Sequence, residues 1–426
     1  MYLCESQEIF AGNPEWPKAH NGTFQRYYYV YVPSGFTGPI PVVIYLHGGF
    51  GSGAQQFQTM PEWASWAAGQ QIVWDQNTDS CKYTYSCTDV GGICIPIPPK
   101  IFRDASDKRC TPSKVTTSAP TGFVLVQPSG LSDRGNPMSP SGHGHWEDGR
   151  TPSPGWAQNS SDEADATQYR DDVGFVNHII ETLGSPAGPS NQLPRVDVER
   201  VLVGGTSNGG LMTHRLACHV GDPAYPALEA VSAAMINVAA MPLNIRDGLY
   251  GRQPCMPRKP LRVIYTVGRG FDTPDCAVYG CATPYVDGDS RMPFGTPGEV
   301  HNVNSPGLGK LISHASSVDF WVESNTHLAS GVAFENHTES VGFFSTKKTY
   351  LSPTNPHGPA AVASYVVEGG NHMANAYRAD FWPTEAMLKF VWTPPPSPPP
   401  PTLPPTAPSL SPPPVPPPSP PPPAPS

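Results

Sequence analysis

Apolar residues in this chain fall into short unbroken runs that alternate with stretches of helical spacing, and that alternation predicts most of the fold. Thr23 to Pro33 is aromatic and β-branched and reads as an outer strand. Ile40 to Leu46 is an apolar run of the buried-strand type, and Gly122 to Pro128 repeats it. Gln55 to Ala68 carries helical spacing, as does Asp165 to Leu183, where Val173, Val176, Ile179, Ile180 and Leu183 form one face. Val201 to Gly204 reads as a strand, with helical spacing resuming at Leu211. Leu228 to Val238 and Leu261 to Val267 are two further apolar runs. Ser316 to Ser324 reads as a helix, Gly342 to Leu351 and Ala361 to Val367 as strands, and Phe381 to Trp392 as a closing helix. Buried-type strands alternating with helices predict an α/β fold, a mostly parallel sheet with helices on both faces. Ligands of such sheets sit at the carboxyl ends of the strands.

Three stretches break the pattern. From about residue 75 to 120 an insert rich in turn formers and cysteine is too long for an ordinary loop. Ser129 to Gln158 is irregular and holds His143, His145, Trp146 and Trp156. It is expected to be a surface loop, with Trp146 and Phe50 lining a pocket; its histidine spacing matches no metal motif. From Pro394 to the end the chain is proline with small residues, which predicts a disordered, polyproline II tail without a core. The expected organisation is an extension over 1–22, one catalytic-sized domain over 23–392, and a tail over 393–426.

Composition sharpens this picture. A formal charge of -9 argues against nucleic acid as a partner, and no apolar run is long enough to span a membrane. Residues 1–10 show neither a basic start nor an apolar core, so no export signal is visible. Of nine cysteines, four lie between Cys81 and Cys110, where disulfides are the expected staples and zinc the weaker reading. Cys276 and Cys281 can close a small loop, and Cys218, on the helix after Ser207, is expected to be the odd thiol. Sequons at Asn21, Asn159 and Asn336 fit N-glycosylation, and together with the cysteines they predict an extracellular protein.

The chemistry centres on Gly205-Thr-Ser-Asn-Gly209, which has a strand before it and a helix after it. A serine on a sharp strand-to-helix turn is lifted to the sheet's carboxyl edge, and its neighbours must be small for the strand and helix to cross. The glycines after Ile40 to Leu46 can present a backbone N–H to a ligand. Gly49 is therefore paired with the N–H of Asn208 as an expected oxyanion hole. Asp272 follows the strand ending at Val267, with Asp275 as its alternative. His372 follows the last strand, with His357 and His301 as rivals. Ser207, Asp272 and His372 stand in the chain order of the α/β-hydrolase triad.

Residues 23 to 392 resemble the polyhydroxybutyrate depolymerase/feruloyl esterase (LpqC-like) family of α/β-hydrolases. The likeness rests on Leu46-His-Gly-Gly49, His145-Trp-Glu-Asp-Gly-Arg150, Arg170-Asp-Asp-Val-Gly-Phe-Val176 and the block from Gly205 to Cys218. It implies a Ser-His-Asp mechanism, with no metal or other cofactor, on short or aromatic acyl esters of a polymer or small molecule. The family usually shows His-Gly-Thr-x-Asp before its acid, where this chain has Val267-Gly-Arg-Gly-Phe-Asp272. Its Gly-Gly-His-x-Trp-Pro appears as Gly369-Gly-Asn-His372-Met-Ala. The tail resembles extensin-like, hydroxyproline-rich glycoproteins of plants and green algae, which implies attachment to a cell wall or a further domain. Two other readings stand beside the esterase: a serine peptidase, and an inactive matrix glycoprotein on the same fold.

Overall fold

The computed structural model describes residues 2–6, 26–32, 39–49, 51–59, 67, 71–73, 87–90, 93–96, 114–116, 122–130, 144–149, 171–184, 196–248, 254–269, 301–302, 310–329, 331–341, 345–353 and 361–368. The chain divides into two units, Met1–Trp392 and Thr393–Ser426. The second, with the proline-rich tail, lies outside the described residues, as do the segments from 369 to 392 and most of the cysteine-rich insert.

One ten-stranded sheet forms the frame. Its strands are β1 (Tyr2–Ser6), β2 (Arg26–Tyr31), β3 (Ile40–Leu46), β4 (Val124–Pro128), β5 (Val196–Thr206), β6 (Val231–Asn237), β7 (Arg262–Arg269), β8 (Glu335–Val341), β9 (Ser345–Leu351) and β10 (Val362–Glu368). Their spatial order is β1-β2-β4-β3-β5-β6-β7-β10-β9-β8. The six strands from β4 to β10 in that order run parallel. β2 pairs antiparallel with β4, and the β8–β9 hairpin adds antiparallel strands at the other edge. An antiparallel second strand, the β4-β3 inversion and a parallel run onward make this the α/β-hydrolase fold. Tyr2–Ser6 lies outside the Arg26–Tyr31 strand, so the aromatic strand is second from the edge rather than outermost.

Why these residues make the sheet centre follows from burial on both faces. Every residue of β3 and β4 is buried, and α1 (Gly53–Thr59) lies between them in the chain. Such strands carry no polar alternation, because parallel strands are covered on both sides. Each fully buried Val, Leu or Ile there contributes about 1.5–3 kcal/mol. One core cluster joins Val42, Ile44, Leu46, Val201 and Val203 to Phe175 and Ile179 of α2 (Asp172–Gly184) and to Leu211 and Leu216 of α3 (Asn208–Cys218). Val318 and Trp321 of the helix His314–Ala329 belong to the same cluster. α2 begins at Asp172, and residues 165–170, which the spacing assigns to the same helix, lie outside the described residues. Asp171 sets that start: its Oδ1 accepts the Gly174 N–H at 2.7 Å while its carbonyl accepts the Phe175 N–H.

Cys218 is not the odd thiol. It is bonded to Cys255, 37 residues on, with the Cα atoms 4.8 Å apart. The expectation failed because helix spacing shows only that Cys218 points inward, whereas the chain returning at Cys255 is brought there by tertiary folding. Among the described helices none is long and apolar enough to cross a membrane.

Candidate active site

The Gly205–Gly209 turn is built as its small residues demand. Ser207 has φ 56° and ψ -119°, a left-handed backbone that a side chain adopts only under strain of about 1–3 kcal/mol. A Cβ placed on Gly205 would lie 2.4 Å from the Gly209 carbonyl carbon, and one on Gly209 would lie 2.3 Å from the Leu46 carbonyl oxygen. The helix therefore crosses β5 and β3 at a distance only glycine permits. Hydrogen bonds hold the strained residue from both sides. The Ser207 N–H donates to the Asn237 carbonyl at 3.0 Å, and the Ser207 carbonyl accepts the Leu211 N–H at 2.9 Å. Ser207 thus sits at the N-terminus of α3, where the helix dipole favours negative charge.

Beneath the turn a polar chain links four strand ends. Tyr45 Oη and Thr206 Oγ1 are 2.7 Å apart, Asn237 Nδ2 donates to Thr206 Oγ1 at 3.2 Å, and Thr266 Oγ1 donates to Asn237 Oδ1. Next in sequence, Val238 is fully buried at φ 45° and donates its N–H to the Thr266 carbonyl. Two strained, β-carbon-bearing residues within one such cluster mark it as a site where packing overrides local preference.

The loop after β3 closes over the turn. A Cβ on Gly48 would be 3.6 Å from Ser207 Cβ, and one on Gly49 would be 3.8 Å from Asn208 Cβ. The loop is pinned by His47, which is fully buried. Its Nδ1–H donates to the Gly48 carbonyl at 2.7 Å, and its Nε2 accepts the Gly130 N–H at 2.9 Å. The bond from Gly130 needs an unprotonated Nε2 and so the neutral ring. Burial lowers the His47 pKa to about 4, opposed by the Gly48 bond and reinforced by the positive fields of His145 and Arg26.

The His145–Asp148 segment corrects the sequence reading. It is no surface loop: His145, Trp146, Glu147 and Asp148 are all buried. Charged residues are tolerated there because each is paired. Arg215 on α3 donates to the Glu147 carbonyl at 2.6 Å and forms an ion pair with its carboxylate. The Glu147 N–H donates to Asp172 Oδ2 at 2.6 Å, and Asp172 is in turn paired with buried Arg26 at 2.6 Å. Trp146, expected to line a pocket, is 1% exposed and lies beneath the His47–Gly49 loop. Its ring is 4.9 Å from that of His47, and its Nε1–H donates to the His47 carbonyl at 2.9 Å. No periodicity marks Arg26, Asp148 or Asp172 in the sequence. Their only signal is membership of motif blocks or of a strand, with no hint of which charges meet.

The structure brings together Ser207, Asn208 and Gly49. Asp272, Asp275, His372, His357, Phe50, Asn21 and Asn159 lie outside the described residues. His301 falls in a two-residue strand paired with Lys310–Leu311, outside the ten-stranded sheet. Asn336 is exposed on β8, the edge strand. β7 and β10, which lead toward Asp272 and His372, end in register with Arg269 opposite Glu368.

No family model matches the chain, and no curated protein matches it. Among solved structures, the acetyl xylan esterase from Aspergillus awamori is similar over 92% of this chain and 99% of its own, at 14% identity and a TM-score of 0.40. The S-formylglutathione hydrolase from Agrobacterium tumefaciens is similar over 63% of this chain and 76% of its own, at 13% identity and a TM-score of 0.33. Native sOPH is similar over 57% of this chain, at 16% identity and a TM-score of 0.29, and the match spans 63% of the sOPH chain, under two thirds of its length. These are likenesses of fold at low identity, and the chemistry rests on the site.

Proposed function

We propose that the protein is a serine hydrolase of carboxylic esters, with Ser207 as its nucleophile. The observation that carries this reading is the backbone of Ser207, held at φ 56° between β5 and α3 by glycines that leave no room for a side chain. Strain of this kind persists only where the surroundings enforce it, and here it raises a hydroxyl at the carboxyl edge of the sheet.

In the proposed reaction Ser207 Oγ attacks the ester carbonyl while His372 takes its proton. The tetrahedral oxyanion is held by the N–H groups of Gly49 and Asn208. Its collapse breaks the bond to the alkoxy oxygen, which leaves with the proton from His372. Water, deprotonated by the same imidazole, then cleaves the acyl-serine and regenerates the hydroxyl. Asp272 holds the imidazole in its tautomer. The common edge at which β5, β7 and β10 end supports assigning these three residues to one site.

The substrate proposed is a short or aromatic acyl ester of a polymer, on the strength of the motif resemblance to feruloyl esterases and polyhydroxybutyrate depolymerases. The Cys218–Cys255 disulfide supports an extracellular location, because such bonds persist in oxidising compartments. The tail over 393–426 is proposed as a stiff spacer to a wall or further domain.

The test is labelling with a fluorophosphonate followed by peptide mapping. Modification at Ser207, together with loss of p-nitrophenyl acetate hydrolysis by at least about 10³-fold in Ser207→Ala, is the expected result. Full hydrolysis by Ser207→Ala sinks the assignment.

A further inference from the structure

We propose that the buried His145–Asp148 segment is a positioning clamp for the oxyanion hole, in which Asp148 fixes the Asn208 side chain and so aims the Asn208 N–H. The proposal rests on the reading of Ser207 as nucleophile, and it assigns a role to residues that reading does not use.

Asparagine in the first turn of a helix tends to bond nearby backbone groups and so loosen the turn. Here the Asn208 side chain is fully committed elsewhere. Its Oδ1 accepts the Trp146 N–H at 2.7 Å, and its Nδ2 donates to the Trp146 carbonyl at 3.2 Å and to Asp148 Oδ2. Two donors and one acceptor, all met by Trp146 and Asp148, leave the amide a single orientation. The bond to Asp148 is charge-assisted and hence about twice as strong as a neutral one. Asp148 is buried, so water does not compete for its oxygens.

The same segment reaches the other candidate donor. The His145 ring lies against Gly49, 3.1 Å from where a Cβ would stand, and Trp146 Nε1–H holds the His47 carbonyl. Gly49 and Asn208 belong to separate elements, and the distance between their N–H groups decides whether both can bind one oxygen. One rigid segment bonded to both elements sets that distance. Its own position is fixed from behind by the Asp172 bond to the Glu147 N–H. Asp148 is thus a positioning residue acting through Asn208, not a group that touches substrate.

The test compares Asp148→Ala with Asp148→Asn in the full, oxidised chain, using p-nitrophenyl acetate turnover and hydrogen exchange of peptides covering 44–50 and 205–212. Asp148→Ala is expected to lower kcat about 100-fold with KM changed less than about threefold, and to speed exchange in both peptides. Asp148→Asn, which keeps an acceptor oxygen, is expected to lose only about threefold in kcat and to restore most of the protection. Unchanged exchange at 205–212 in Asp148→Ala overturns the clamp. So does a kcat loss in Asp148→Asn as large as in Asp148→Ala, which would mark a role other than hydrogen bonding. If Asp148→Ala does not fold, Asn208→Ala, which removes the same bond from its other end, decides: exchange at 205–212 at the wild-type value overturns the proposal. Exchange reads the clamp without any turnover. A wild-type protein that hydrolyses no ester and takes no fluorophosphonate therefore sinks the esterase reading alone.

Discussion

The turn at Ser207 and the β8–β9 hairpin are both tight features of the same sheet, yet they are held by opposite means. At the turn the chain passes between buried strands, glycines set the approach, and the backbone is strained at Ser207 and Val238. At the hairpin, residues 335–340 of β8 are exposed. What binds it is a cross-strand backbone ladder, with Lys347 of β9 paired to Glu339 of β8 at 2.6 Å. The first region is specified by volume, so a single atom in the wrong place is costly. The second is specified by backbone pairing and tolerates change.

The largest expected effect is of pH, and it falls on buried groups rather than on the exposed face of the hairpin. His47, His214 and His314 are fully buried, with pKa values lowered by burial to about 4, 3 and 4. In the unfolded chain each titrates near its ordinary value of about 6.5. The unfolded state therefore binds more protons below that pH, so stability is flat above it and falls as pH drops toward 4. Each histidine contributes up to about 1.4 kcal/mol per pH unit across that window. Urea midpoints at pH 7 and pH 5 measure this, and equal midpoints would refute it.

Next is Gly209→Val, whose Cβ would meet the Leu46 and His47 carbonyls. It is expected to cost about 3 kcal/mol or more in urea unfolding, beyond ordinary overpacking because backbone rather than side chain is in the way. Smaller and opposite in sign, Ser207→Gly relieves the left-handed strain and is expected to gain about 1 kcal/mol while abolishing turnover. A loss of stability would show that the turn is less strained than its dihedrals say. Smallest is Lys347→Ala, which removes an ion pair whose Glu339 is largely exposed. A change below about 1 kcal/mol is expected. A hairpin effect as large as that of Gly209→Val would erase the contrast between the two regions.

The same contrast decides what the sequence made legible. β3, β4, β7 and β10 were readable because burial on both faces leaves unbroken apolar runs. The turn was readable because close crossing admits few residue types. β8, with the polar sequence Glu335-Asn-His-Thr-Glu-Ser-Val341, has no buried face and gives no alternation to find. The burial of His145–Asp148 was illegible for a different reason. Carboxylates read as solvated unless their partners are known, and Arg215, Asn208 and Asp172 come from distant parts of the chain. The Cys218 partner depended on how the chain returned.

The Cys218–Cys255 bond closes a covalent ring that contains only the last residue of α3 but all of β6, including Asn237, whose carbonyl holds the Ser207 N–H. A protease that nicks the chain once anywhere between those cysteines therefore cannot part the fragments. The clipped protein would run as one band without reductant and as two with it. In a setting rich in peptidases, the nucleophile's support would outlast the continuity of its own backbone.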